Sequence, residues 1–452
     1  MEAAKLRTAR GPAIPQRTAA APAGRAVETE RTGATSWLTA VVLGGMLLIP
    51  FAISHAEDPF RYPKELMLRL EIIVIAIVVA VAWALGRLDL PRINLRAPAV
   101  RLTATICAWV AVCALLSTNR LVSAAPTARV LMYAVLFAAM TTILRRRPVW
   151  LAGIVIVPAV VNAAIYILQE FEIWSPFVIN AEIESHLHRT ALIGNPNDVG
   201  GYFIVPALVA AAMAFSQRRW RALWAAVALF LVAGVLVTHT VGAIAGVVAA
   251  MAVMVALWLR SWRRIAIVFV ALAALGVAIV AAYPPLRARA GVMREAAAKR
   301  DYETFTSGRT VPFMAAAAMV REHPLTGVGP GCFAYNFFDT KLRLQQRHHW
   351  IFLHTTEFNF GEVHNDHLQV ASETGLPGYA LYLAALALLA SASWRRWREA
   401  ADERGDFVRM LALPLAASMF VLALAQFPLE LVSTAHVYLW GAAAVTAWRA
   451  KP

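Results

Sequence analysis

The chain has 452 residues, of which 60% are hydrophobic and 15% charged. A soluble domain cannot bury that much apolar surface, so an all-α polytopic membrane protein is the expected class. The formal charge of +15 fits basic residues gathered in cytoplasmic loops, and a nucleic-acid partner is not expected; three cysteines offer no disulfide framework.

Residues 1–36, rich in Ala, Pro, Arg and Thr, read as a disordered basic cytoplasmic tail. The apolar run at 37–54 lacks a small-x-small cleavage site and reads as a retained first span. Runs of roughly 17 to 23 apolar residues, enough to cross a ~30 Å hydrocarbon core, recur about twelve times. Their limits are near 37–55, 66–86, 99–117, 128–145, 148–170, 198–215, 220–237, 240–259, 264–283, 377–393, 409–427 and 434–449. The first nine spans therefore occupy 37–283, and the last three, with a cytoplasmic C-terminus, occupy 377–452.

Charge in the connecting segments alternates. One face collects Arg87, Arg92 and Arg96, then Arg145, Arg146 and Arg147, then Arg218, Arg219 and Arg221, then Arg260, Arg263 and Arg264. Later it receives Arg395, Arg396, Arg398, Arg404 and Arg409. The short loops of the opposite face hold only Arg61, Lys64 and Arg120. The positive-inside rule puts the first face in the cytoplasm and both termini with it.

Two outer loops are long, 171–197 and 284–376, and long loops carry function. In the second, Ser307 is the expected N-cap of a helix that stops before Pro324. "GVGPG" at 327–331 then demands a tight backbone turn.

Within "HNDHLQVASETGLPG", Asp366 and Gln369 have the spacing of a cap and its partner. Gly375 fits a helix stop, and Pro377 fits the first turn of the next helix. A helix of about two turns should lie at the outer surface, with His364 just ahead of its positive end. That end disfavours imidazolium and keeps the histidine neutral, as a general base requires.

"HRTALIGNPND" is a second polar cluster, in which Asn195, Asn197 and their glycine and proline neighbours form a turn. Asn197 or Asp198 is expected to cap the following span, making an anion site at the membrane surface. Arg189 lies just upstream. Arg309, in "SGRTVPF", sits at a helix start where a cation is unfavourable unless an anion compensates. Further polar residues on this face, among them His55, Glu57, Arg129, Glu170, His239, Glu430 and His436, imply an outer-leaflet polar cavity suited to an anionic lipid headgroup. His348, His349, His354, His364 and His367 are dense in the large loop but lack metal-binding spacing, so no metal is expected.

Taken in order, "RTALIGNPND", "SGR", "HPLTGVGPGCF" and "HNDHLQVASETGLPG" resemble the O-antigen ligase and polymerase superfamily, over roughly residues 189–382. The resemblance implies a GT-C-like membrane glycosyltransferase with its large helical periplasmic loop between the ninth and tenth spans. Such an enzyme takes a glycan from undecaprenyl pyrophosphate and passes it to lipid A-core oligosaccharide or another lipid-linked glycan, without cofactor, metal or nucleotide sugar. It further implies that Arg189 and Arg309 bind the donor pyrophosphate and that His364 is catalytic. Asn195, Asn197, Asn365, His367 and Glu373 would support them, Glu373 by orienting the imidazole.

One departure stands out. Many relatives carry a Ser-Arg pair where the eighth span begins, and here "VTHTVGAIAG" has His239 instead. The leading reading is a metal-independent, inverting ligase in the bacterial inner membrane, its site facing the periplasm and its partners including membrane lipids. A polymerase of the same superfamily, a protein O-oligosaccharyltransferase and a twelve-span transporter are the alternatives.

Overall fold

The computed structural model describes residues 33–54, 58–86, 96–146, 149–176, 189–259, 284–351, 360–399 and 406–447, with scattered positions between 260 and 283. Residues 1–32 of the expected tail, most of the ninth span, His55, Glu57, His354 and the final residues lie outside them, whereas residues 33–36, expected in the tail, are helical. Among the described residues the regular structure is helical.

The first helices are α1 (Gly33–Leu48), α2 (Arg61–Ala84), α3 (Pro98–Leu115), α4 (Arg120–Arg146) and α5 (Ile156–Glu170). Then come α6 (Pro196–Ser216), α7 (Arg221–Val237) and α8 (Val241–Leu259). The large loop supplies α9 (Pro284–Lys299), α10 (Tyr302–Phe305), α11 (Thr310–Glu322) and α12 (Phe333–Arg347). The chain closes with α13 (Asp366–Glu399), α14 (Phe407–Ala423) and α15 (Val432–Ala447).

Eight of these, α2 to α8 and α13, are long and apolar enough to cross a bilayer. They coincide with eight of the twelve runs expected from the sequence. The shorter apolar helices α1 and α14 fall on two more, and α15 falls on the last.

Helix α6 is the axis of the bundle. Every residue from 198 to 213 is buried, as expected for a helix apolar on all sides. It packs against α5, α7, α8, α14 and α15. Gly246 lets α8 approach closely, since a Cβ there would meet Ile204 at 3.2 Å and the Ser418 carbonyl at 3.4 Å. Among the apolar helices, Glu71 of α2 and His436 of α15 face one another at 3.4 Å, an ionisable pair kept inside the bundle where neither meets lipid.

The large loop has a core of its own. Val311, Ala315, Met319, Val328, Phe333 and Phe337 are buried together, with Val363 just before α13. That core seats α11 and α12 against α13.

Local stops match the spacing, but three caps do not. Helix α11 ends at Glu322, before Pro324, as expected. Its start is not capped by Ser307, which is in the left-handed region at φ 55°. The Thr310 amide donates instead to the Glu303 carboxylate at 3.2 Å. Helix α6 is capped by Asn195, which accepts from the amides of Asn197 and Asp198, in place of either of those two. Helix α13 is capped by Asn365, which accepts from the Leu368 amide at 3.1 Å, while Asp366 faces away. In both cases the true cap lies just upstream, because the expected residue already has helical backbone geometry.

Candidate functional site

Helix α13 is two helices joined at a break. Gly375 has φ 71° and ψ 178°, and a Cβ there would meet the Leu325 carbonyl oxygen at 2.0 Å. Only glycine suits that geometry. The break sets the outer segment, 366–374, apart from the long span, and His364 stands at its mouth.

His364 is partly buried and takes φ 58°, strained for a residue with a side chain. Its ring meets Phe427 edge-on at 4.9 Å and Phe360 at 6.4 Å. Burial lowers its pKa from the ordinary value to about 4, and the neighbouring charges of Arg309 and Arg61 push the same way. The imidazole is therefore neutral, as expected, but burial and two arginines do most of what the helix end was assigned.

The segment 424–430, between α14 and α15, ties the site together. Asn365 donates to the Leu424 carbonyl at 3.0 Å. Arg309 donates from Nη1 to the Ala425 carbonyl at 3.0 Å. Gln426 accepts from the Asp366 amide through its carbonyl at 3.1 Å and reaches the Asn197 side chain at 3.3 Å. The Leu429 amide donates to the Asp366 carboxylate at 3.0 Å. One short connection thus binds motifs from α6, α11 and α13.

Arg61, at the start of α2, lies in the same pocket, and the sequence reading did not single it out as a site residue. It donates to Glu362 at 3.1 Å, lies 3.7 Å from Asp198, and stacks over Phe427 at 5.1 Å. With Arg309 it places two guanidiniums around His364, where two had been assigned as Arg189 and Arg309. Its signal in the sequence was faint: one of few basic residues on the face expected to lie outside. Gln426 and Phe427, which break an apolar run as "QFP", also escaped notice.

Arg189 belongs to a separate cluster. It donates to Glu170 at 3.1 Å, and the same carboxylate lies 3.5 Å from His239 Nε2. The turn after Arg189 is held against α2, since Lys64 donates to the Leu192 carbonyl at 2.8 Å. Arg129, Glu65 and Glu430 form a third cluster, in which Arg129 and Glu430 are hydrogen-bonded.

Glu373 does not orient the imidazole. Its carboxylate accepts from the Gly331 amide at 2.7 Å and from Phe333 at 3.4 Å. It clamps the glycine-rich turn, whose Gly327, Gly329 and Gly331 all have positive φ. The reason is orientation: on the outer segment of α13 this side chain points to the turn and not back toward His364. His367 is buried and structural, bonded through Nε2 to the Phe420 carbonyl at 2.9 Å and through Nδ1 to the Tyr379 hydroxyl at 3.2 Å.

Chemically, the His364 pocket offers a neutral base flanked by two cations and walled by rings. It suits a reaction in which an anion binds beside a hydroxyl that must lose a proton.

Residues 226–383 match a family model described as O-antigen ligase. The matched stretch contains His239, Arg309, His364 and Glu373, and leaves out Arg61 and Arg189. No curated protein matches the chain.

Proposed function

We propose, from the match of residues 226–383 to the O-antigen ligase family model, that the chain is a twelve-span inner-membrane glycosyltransferase with its site on the periplasmic face. It moves a glycan from undecaprenyl pyrophosphate to a hydroxyl of lipid A-core oligosaccharide. The observation that carries this reading is His364, held neutral beside Arg309 and Arg61.

The acceptor hydroxyl attacks the anomeric carbon from the face opposite the pyrophosphate. His364 takes the hydroxyl proton, the glycosidic bond to the phosphate oxygen breaks, and the polyprenyl pyrophosphate leaves with its electron pair. The configuration inverts. Arg309 and Arg189 hold the leaving group, as the family pattern implies, because a guanidinium gives paired hydrogen bonds to phosphate oxygens. Arg61 is the cation that the local geometry adds. Charge on the leaving group is then met by arginines without a divalent ion.

Donor binding also prepares the base. A pyrophosphate between Arg309 and Arg61 cancels the positive field that depresses His364, so the imidazole becomes a better proton acceptor when the donor is in place. On the second cluster, His239 shares Glu170 with Arg189, at the position where many relatives carry an arginine.

The test is transfer by the purified chain, with a glycan on undecaprenyl pyrophosphate as donor and lipid A-core as acceptor. Glycan should appear on lipid A-core with wild type and not with His364→Ala. Joining of one donor glycan to another, with lipid A-core untouched, would favour the polymerase.

A further inference from the structure

A cavity of about 860 Å³ runs between α3, α4, α13 and α15, within the ~300–1,000 Å³ of sites that enclose a small ligand. Leu102, Ile106, Val130, Ala134, Leu381 and Leu389 are among its walls. Along α4 its lining runs from Pro126 to Arg145, a helical rise of ~28 Å. That is most of a ~30 Å hydrocarbon core.

Its two ends differ in charge. At the end near the candidate site the one basic residue among the described lining residues, Arg129, is already paired with Glu430. At the far end the described lining residues include Arg145, Arg395 and Arg396, together with Pro98 at the start of α3, and no carboxylate. Trp394 and Trp397 stack at 5.0 Å on the same turns of α13, and tryptophans favour headgroup depth.

We propose that this cavity holds one anionic phospholipid, its phosphate on Arg145, Arg395 and Arg396 and an acyl chain threaded between α4 and α13. The charge asymmetry selects the occupant. A phosphate at the site end would find Arg129 already paired with Glu430 and no other cation among the described lining residues, whereas a phosphate at the far end meets three arginines. The polyprenyl donor is therefore not the occupant, and the proposal does not rest on the transferase reading.

The experiment uses the full chain, purified in detergent, stripped of lipid and titrated with phosphatidylglycerol or phosphatidylcholine, with bound lipid counted by native mass spectrometry. Wild type should keep one phosphatidylglycerol, at least ~10-fold more tightly than phosphatidylcholine. Replacing all three arginines by glutamine should abolish that preference. Arg395→Gln alone should lower it about fivefold, which covers failure of the triple variant to insert. Ala385→Trp, filling the cavity with the arginines intact, should lose both lipids. Equal retention of the two lipids by wild type, or an unchanged preference in the arginine variants, would overturn the proposal. One-for-one displacement of phosphatidylglycerol by polyprenyl pyrophosphate would overturn it too, assigning the cavity to the donor.

Discussion

The Arg309 guanidinium donates to the Ala425 carbonyl at 3.0 Å, two residues before the Phe427 ring that packs on His364 at 4.9 Å. A cation and a base from distant parts of the chain are therefore set against one short connection. Burial lowers the Arg309 pKa, yet a guanidinium remains charged. It is held where an anionic ligand can meet it.

Arg309→Lys should impair transfer although the charge is kept, because lysine cannot give two parallel hydrogen bonds. Losing one charged contact costs about 1.5–3 kcal/mol, or roughly ten- to a hundredfold in rate. Arg189→Lys should act in the same direction. Turnover at the wild-type level in both variants, at matched expression, would remove the pyrophosphate clamp from the mechanism.

The pH profile should report the field around His364. With its pKa lowered to about 4, the free enzyme keeps a neutral base well into acid, so kcat/KM should fall only as pH drops toward that value. Once donor is bound its negative charge raises the histidine, and the acid limb of kcat should lie at higher pH than that of kcat/KM. Arg61→Met removes one depressing cation and should also move the kcat/KM limb upward. Coincident limbs in all three measurements would mean that these arginines do not tune the base.

His364→Ala and His367→Ala should fail differently. Loss of a general base is worth typically ~10²–10⁴-fold, so His364→Ala should bind donor, melt normally and turn over very slowly. His367→Ala leaves the Phe420 carbonyl and the Tyr379 hydroxyl without their partner, a loss of about 1–3 kcal/mol in stability. Its turnover per folded molecule should change much less. Thermal melts beside single-turnover rates separate the two; a His364→Ala protein that no longer binds donor would make this histidine a binding residue.

Glu373→Ala should loosen the glycine-rich turn. It removes the acceptor of the partly buried Gly331 amide, and a lost partner of that kind costs about 1–3 kcal/mol. Glu373→Gln keeps an acceptor oxygen and should recover most of the stability. Proteolytic sensitivity between 327 and 332 is the readout, and equal resistance in both variants would argue against the clamp.

Transfer should persist in excess EDTA, because the assigned chemistry places arginines where other phosphate-handling enzymes place divalent cations. Activity lost on chelation and restored only by Zn²⁺ or Mg²⁺ would recast the loop histidines as ligands.

What the sequence determined by itself was whatever depends on neighbours along the chain. Apolar run length placed the helices that are long and apolar enough to cross a bilayer, since a span must cover the hydrocarbon with its own backbone bonds satisfied. The same local logic found the break at Gly375 and the stop before Pro324. Ordered motifs pointed to the family and to His364, Arg309 and Arg189 as residues worth examining. Caps were misplaced at Ser307, Asp198 and Asp366, because several polar residues lie within reach of each helix start and spacing does not say which one turns inward.

Only the tertiary structure decided which motifs meet. Arg61 and Glu362 are 301 positions apart, and no periodicity links them. The Arg61–Glu362 bond and the Phe427 ring hold Arg61 at the His364 pocket, and the 424–430 segment gathers Asn197, Arg309, Asn365 and Asp366. Glu373 was drawn to the glycine turn instead of the histidine for the same reason. A side chain's partner is set by the direction that the folded backbone gives its Cβ, and that direction exists only once the helices have packed.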